Sequence, residues 1–424
     1  MDDRAARPKP LRFKEPVLDV ALSPQADLVA TSLITGHVFV HRYSVEGNER
    51  LHRWRAHKKS CRSVCFSGDG AQLYTASKDR SWQAVDVETG AEAARFAAAH
   101  DKPINLVKRV NEQLVATGDE AGCVKLWDTR QARQAFAHAE HVDYISDMAF
   151  CAGKRHLLAT SGDGCLSVYD VRKAKPFQVS ANQDDELLSL AIVRDGSKVV
   201  VGQTDGVLGI FSYGQFGDVS DRFPGHPQSI DAICKLTEDL CVTGSSDGLL
   251  RIIQLFPHKL VGVAGDHQGL PVERVGLSHD QQWLASCSHD QAVHFWDIGY
   301  IYSRDEDAGD SDSNADDSDA DSDVDVQAAA IQASAGVGKD DSDDSAEVDI
   351  VGVSDAVPDQ RSDGDDDDDD DDDDSSDGGD AKRAKAQRRR EKLKAKRKAS
   401  GALAPSAAKQ QKRAQKKASF FSGL

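Results

Sequence analysis

Gly122-Cys123-Val124-Lys125-Leu126-Trp127-Asp128 is a short apolar run that opens on a glycine and closes on an acid, and its shape returns along the chain. Positions in the same register as Asp128 fall at Asp86, Asp170, Ser212, Gln254 and Asp297, at steps of 42 residues with a last step of 43. An earlier copy, Gly36-His37-Val38-Phe39-Val40-His41-Arg42, lies 44 residues before Asp86 and makes seven units. A period of this length, with room for four short strands per unit, marks an array in which each unit buries its faces against its neighbours. The expected fold is all-β, a seven-bladed β-propeller.

One unit shows the layout. Residues 145–151 (ISDMAFC) and 157–161 (LLATS) have the composition of two short strands, Gly162-Asp163-Gly164 that of a tight turn, and residues 166–171 that of a third strand. The fourth strand precedes the next unit. Because both faces of a blade pack on other blades, the strands are apolar with small residues instead of cleanly alternating. Ring closure leaves two candidates for the last outer strand, residues 10–13 or residues 300–303. The N-terminal strand is the expected one, because it would lock the first and last blades together.

An Asp recurs six residues before the Trp-like position, at Asp79, Asp163, Asp205, Asp247 and Asp290. A His recurs 28 to 30 residues before the register position, at His57, His100, His141, His226 and His267. This pattern resembles WD-repeat proteins, in which that His, the turn Asp, a strand Ser and the Trp form one hydrogen-bonded chain; here the Trp positions are Trp127 and Trp296. Buried polar groups need partners, and a satisfied network fixes blade geometry. The His and Asp residues are therefore framework rather than acid/base groups. Ala121 replaces the turn Asp in blade 3, Gln183-Asp184 stands where blade 5 would have its His, and Phe13 does so in blade 1. Those blades are expected to rely more on apolar packing.

The repeat fills residues 1–303, with net charge about −5; residues 304–380 carry about −29 and residues 381–424 about +15. The middle segment, with ten aspartates at 365–374 and no strand pattern, is expected to be disordered. Its serines three residues before an acid, such as Ser318 before Asp321, suit an acid-directed kinase. The basic end holds Lys382, Arg383, Arg388, Arg389, Arg390, Lys396, Arg397 and Lys398, a density of charge that serves nuclear import and phosphate binding alike. Eight cysteines with no CxxC pair argue against a disulfide framework or a zinc site. The chain has no apolar run of membrane-spanning length and no apolar N-terminal leader, so a soluble intracellular protein is expected. No Walker-type loop, HExxH or G-x-S-x-G is present, so neither an enzyme nor a cofactor or metal is expected.

The opening blade, Pro16-Val17-Leu18-Asp19-Val20-Ala21-Leu22-Ser23-Pro24 through Tyr43, the seven blades, and the acidic then basic tail resemble the WD repeat-containing protein 55 family. That resemblance implies a nuclear and nucleolar scaffold in rRNA processing and large-subunit biogenesis, a monomer within larger assemblies whose partners are pre-ribosomal proteins, rRNA and an import receptor. Trp127-Asp128-Thr129-Arg130 and Tyr169-Asp170-Val171-Arg172 also look like the WDxR box that docks on the adaptor of cullin-4 ubiquitin ligases, with Arg130 and Arg172 as contacts. The alternative function is thus a substrate receptor of such a ligase. Lys58, Lys59, Lys78 and Arg80 flank two loops of blade 2 that belong to one rim, a basic patch suited to RNA phosphates or acidic protein. Solvated surface charge is the competing reading of that patch.

Overall fold

Twenty-eight strands among residues 7–302, the part of the chain that the computed structural model describes, form seven antiparallel sheets of four. In blade 4, Ile145–Cys151, His156–Ser161, Leu166–Asp170 and Pro176–Val179 follow one another from the innermost strand to the outermost. The inner strands touch in turn around a ring, and the last, Val272–Leu277, touches the first, Val17–Leu22. This is the seven-bladed propeller that the period predicts. The acidic segment, its serines and the targeting cluster from Lys382 to Lys398 lie outside the described residues.

The second strand of each blade shows why these sequences fold this way. Leu28–Leu33 (LVATSL), Leu114–Asp119 (LVATGD) and Leu240–Ser245 (LCVTGS) each have one partly exposed residue and then five buried ones. A strand covered on both faces loses alternation. Its small residues let blades approach: a Cβ added at Gly118 would lie 2.6 Å from Ile145 of the next blade. Outer strands behave oppositely. Glu49–Arg55 (ERLHRWR) is largely exposed and charged, which protects a free edge from pairing with other chains.

Every inner strand carries a register shift near its start, from Val17/Asp19 in blade 1 to Val272/Arg274 in blade 7. Such a bulge adds local twist and re-aims a side chain. Several of these side chains join neighbouring blades. Asp19 Oδ2 accepts the Val64 N–H at 2.9 Å, Asp147 Oδ2 accepts the Leu190 N–H at 3.1 Å, and the Ser189 hydroxyl donates to the Ile230 carbonyl at 2.9 Å.

The hydrophobic core is likewise divided among the blade interfaces. Leu106, Leu126, Ile145, Leu157 and Tyr169 pack between blades 3 and 4, while Leu158, Val168, Leu190, Val201 and Phe211 pack between blades 4 and 5. Each such side chain contributes about 1.5–3 kcal/mol on burial. Closure uses the N-terminal strand. Leu11–Arg12 pairs with Ala292–Asp297, Leu11 opposite Val293 and Arg12 opposite Ala292, and the Phe13 N–H donates to the Gln291 carbonyl at 2.9 Å. Residues 300–302 form a helical turn instead, anchored by the Tyr302 hydroxyl donating to the Leu236 carbonyl at 3.2 Å.

Candidate interaction surfaces

Four of the recurring histidines, His57, His100, His141 and His267, sit at blade interiors with both ring nitrogens near oxygen. His267 places Nδ1 2.8 Å from Asp290 Oδ2 and Nε2 2.7 Å from Ser286 Oγ, which also accepts the Trp296 indole N–H at 2.8 Å. His100 repeats the chain through Thr117 Oγ1, at 2.7 Å, and the Trp127 indole N–H at 2.8 Å. His141 reaches both Asp163 oxygens at 3.2 Å and Ser167 Oγ at 2.7 Å. His57 lies 2.9 Å from Ser81 Oγ, 2.9 Å from Thr75 Oγ1 and 3.3 Å from Asp79 Oδ2. Burial opposes ionisation of Asp79, but hydrogen bonds from His57 and Ser81 outweigh it and hold the carboxyl well below the usual range.

The structure corrects two positions. In blade 3 the missing turn acid is supplied two residues earlier: Asp119 Oδ2 lies 2.9 Å from His100 Nδ1, and its other oxygen accepts the Ala121 and Cys123 N–H groups. Blade 3 therefore keeps the full network. In blade 6, Asp247 does not serve His226; Arg251 takes both of its oxygens, at 3.0 and 2.7 Å. His226 keeps Thr243 at 2.8 Å, and burial followed by the Arg251 charge lowers its pKa to about 4. In blade 5 no histidine faces the turn, and Asp205 accepts the Val207 N–H of its own loop at 3.1 Å. A carboxylate sought within two residues of the turn would have found Asp119; no local signal announces the Arg251 contact.

Among the described residues two groupings offer metal-type donors, His100 with Asp119 and Cys123, and His267 with Asp290 and His294. In each, the nitrogens of the leading His already meet Asp and Ser or Thr oxygens in the polar chain. All eight cysteines are free thiols. The axis of the ring is crossed by side chains. Arg274 of blade 7 donates through Nη2 to the Ser146 carbonyl of blade 4 at 3.2 Å, and its Nε lies 3.9 Å from Asp19 Oδ1 of blade 1. Lys108 Nζ lies 3.5 Å from Asp147 Oδ1. These opposite charges offset one another across the ring.

The rims remain as surfaces. Alternating strand direction puts the turns after second and fourth strands on one rim, and those after first and third strands on the other. Lys58, Lys59, Lys78 and Arg80 are exposed on the first rim. Their loops are tied together: the Lys58 N–H donates to Asp79 Oδ2 at 3.1 Å, and the Lys78 N–H donates to the Ser60 carbonyl at 3.0 Å. The polar network thus also positions this basic patch. Arg80 stands at φ +69°, where Gly36 and Gly206 stand at +80° and +77° in their blades. The glycines are needed there, since a Cβ at either would meet a backbone oxygen at 2.3 Å.

Arg130 and Arg172 occupy the opposite rim, with side chains 58% and 54% exposed. Each folds back on the register Asp of its own repeat. Arg172 makes a two-pronged pair with Asp170, 2.8 Å at both Nε and Nη2, and Arg130 a looser one with Asp128, at 3.4 and 3.2 Å. The Arg172 hydrogen bond is the leading cause that holds the Asp170 carboxyl well below the usual range. A fixed guanidinium presented to solvent loses little freedom on binding.

A family profile described as WDR55 matches residues 8–301, the span of the propeller. The chain belongs to the WDR55 family. It is 38% identical over 293 residues to WD repeat-containing protein 55 of Mus musculus, covering 69% of this chain and 76% of that one. It is 41% identical over 280 residues to WD repeat-containing protein 55 of Arabidopsis thaliana, covering 66% and 79%. WD repeat-containing protein JIP5 of Coprinopsis cinerea is 35% identical over 298 residues, covering 68% and 73%. Membership in the WDR55 family and the propeller together describe a WD-repeat scaffold.

Proposed function

We propose that this WDR55-family protein is a non-enzymatic scaffold of the nucleus and nucleolus that supports rRNA processing and large-subunit biogenesis. The observation that carries it is the fate of the histidines: His57, His100, His141 and His267 are all engaged in the polar chains that hold the blades, which leaves the rims as working surfaces. The basic residues from Lys382 to Lys398 support entry through an import receptor, and Lys58, Lys59, Lys78 and Arg80 offer a face for rRNA phosphates or acidic pre-ribosomal proteins. A second reading, substrate receptor of a cullin-4 ubiquitin ligase, is favoured by the exposed, Asp-pinned guanidinium groups of Arg130 and Arg172 on one rim.

Depletion in cells separates the two. Large-subunit rRNA precursors are expected to accumulate, and an Arg130→Ala, Arg172→Ala double variant is expected to restore processing while losing any adaptor pull-down. If that variant loses adaptor and processing together, the ligase reading takes over. If depletion leaves precursor rRNA unchanged, the scaffold role in ribosome assembly is wrong.

A further inference from the structure

Blade 4 carries a second basic cluster, on the rim opposite Lys58. Lys154 and Arg155 lie in the turn after its first strand, and Arg172, Lys173 and Lys175 in the turn after its third; all five are exposed. Both turns belong to the same rim. Their convergence registers at His156, whose ring is held below the usual imidazole range: burial acts first, Asp170 opposes it, and Arg172, Lys154 and Lys173 add to it. Asp170 is shared by two of these cations, Arg172 at 2.8 Å and Lys173 at 3.4 Å.

An aromatic stack runs through the same place. The Phe177 ring lies 4.7 Å from that of His156, which is nearly parallel to Tyr213 at 6.0 Å, and Lys154 Nζ sits 3.4 Å above the Tyr213 ring. His156 Nδ1 is 2.9 Å from the Tyr213 hydroxyl, which fixes the stack. Phe177 is 51% exposed, a large apolar ring supported from behind and bare in front. Cations alone would suit an acidic peptide. Cations beside a supported, exposed aromatic suit a single strand of nucleic acid, whose phosphates meet the charges while a base stacks on the ring.

We infer that this rim of blade 4 binds single-stranded RNA, with Lys154, Arg155, Lys173 and Lys175 near backbone phosphates and Phe177 beneath a base. The choice of RNA over DNA rests on the scaffold reading; the contact with a single strand does not. The test photocrosslinks the full-length protein to a 4-thiouridine oligonucleotide of about twelve residues, within the usual site size, and to a matching 4-thiothymidine DNA, and maps the adducts by mass spectrometry. Adducts are expected on the peptide holding Phe177 or on that holding Tyr213, in addition to any on residues 381–424. Phe177→Ala and, separately, Lys154→Glu with Lys173→Glu should each reduce the blade 4 adduct by roughly fivefold or more, with thermal melting unchanged. Adducts confined to residues 381–424 overturn the proposal. So does an adduct insensitive to Phe177→Ala, which would mean that charge alone attracts the strand and no base stacks on the ring, and a stronger adduct with the DNA would overturn the assignment to RNA. These outcomes stand whether or not depletion alters precursor rRNA.

Discussion

Asp119 shows that a blade can lose a consensus residue and keep the physics behind it. His100 needs an acceptor at Nδ1 because its ring is buried, and Asp119 supplies one from the end of a strand, where other blades have Ser77, Ser161 or Ser288. The same carboxylate accepts two backbone N–H groups of the turn. Asp119→Ala therefore leaves three donors short of a partner. The expected cost is about 2–3 kcal/mol, the usual penalty for buried polar groups stripped of partners, and urea denaturation would measure it. A loss well under 1 kcal/mol would mean that water or a neighbouring group replaces the carboxylate.

At the scale of the element, the weakest link is also the one that closes the ring. Leu11–Arg12 is a two-residue strand, yet Leu11 is buried in the cluster between blades 7 and 1 with Val17, Val29, Tyr43 and Phe295. Its side chain holds the first residues of the chain against the last blade. Leu11→Ala is expected to cost about 2–3 kcal/mol. Hydrogen exchange should then rise first along Ala292–Asp297, which loses its outer partner, while the third strand of blade 4 stays protected. Uniform acceleration in all blades would show that the ring opens as one unit.

For the whole molecule, several histidines buried in neutral form make stability depend on pH. His226 and His41 are both lowered to about 4, by burial first and then by Arg251 and Arg50. His138, His156 and His294 move in the same direction, burial again leading. In the unfolded chain these rings titrate near 6.5, so between that value and about 4 the unfolded state binds more protons. The contribution of His226 and His41 is therefore full above pH ~6.5 and lost as the pH falls toward about 4, on the order of 3 kcal/mol at most for His226, and the other three act in the same direction. Urea titrations across this window should show stability falling with pH, and His226→Gln, which can still meet Thr243, should flatten part of the slope. An unchanged slope would place the acid sensitivity elsewhere.

The period, the seven units, the buried second strands and most of the His–Asp framework were legible in the sequence, because each depends on spacing within one repeat. The patch of Lys58 and Lys78 was legible for the same reason: both residues sit at fixed offsets from the register position. What depends on contacts between repeats was not. Arg274 reaches Ser146 across 128 residues and Lys154 finds Tyr213 in the next blade, whereas the N-terminal strand that pairs with the last blade was expected from the sequence. Arg251 takes Asp247 from His226 although all three lie within one repeat. That competition is decided by side-chain direction and burial, which a linear pattern does not carry. Sequence thus determined what each blade is made of. Closing the ring decided which charges and rings from different blades meet, since only then do residues far apart in the chain share one low-dielectric interior or one rim.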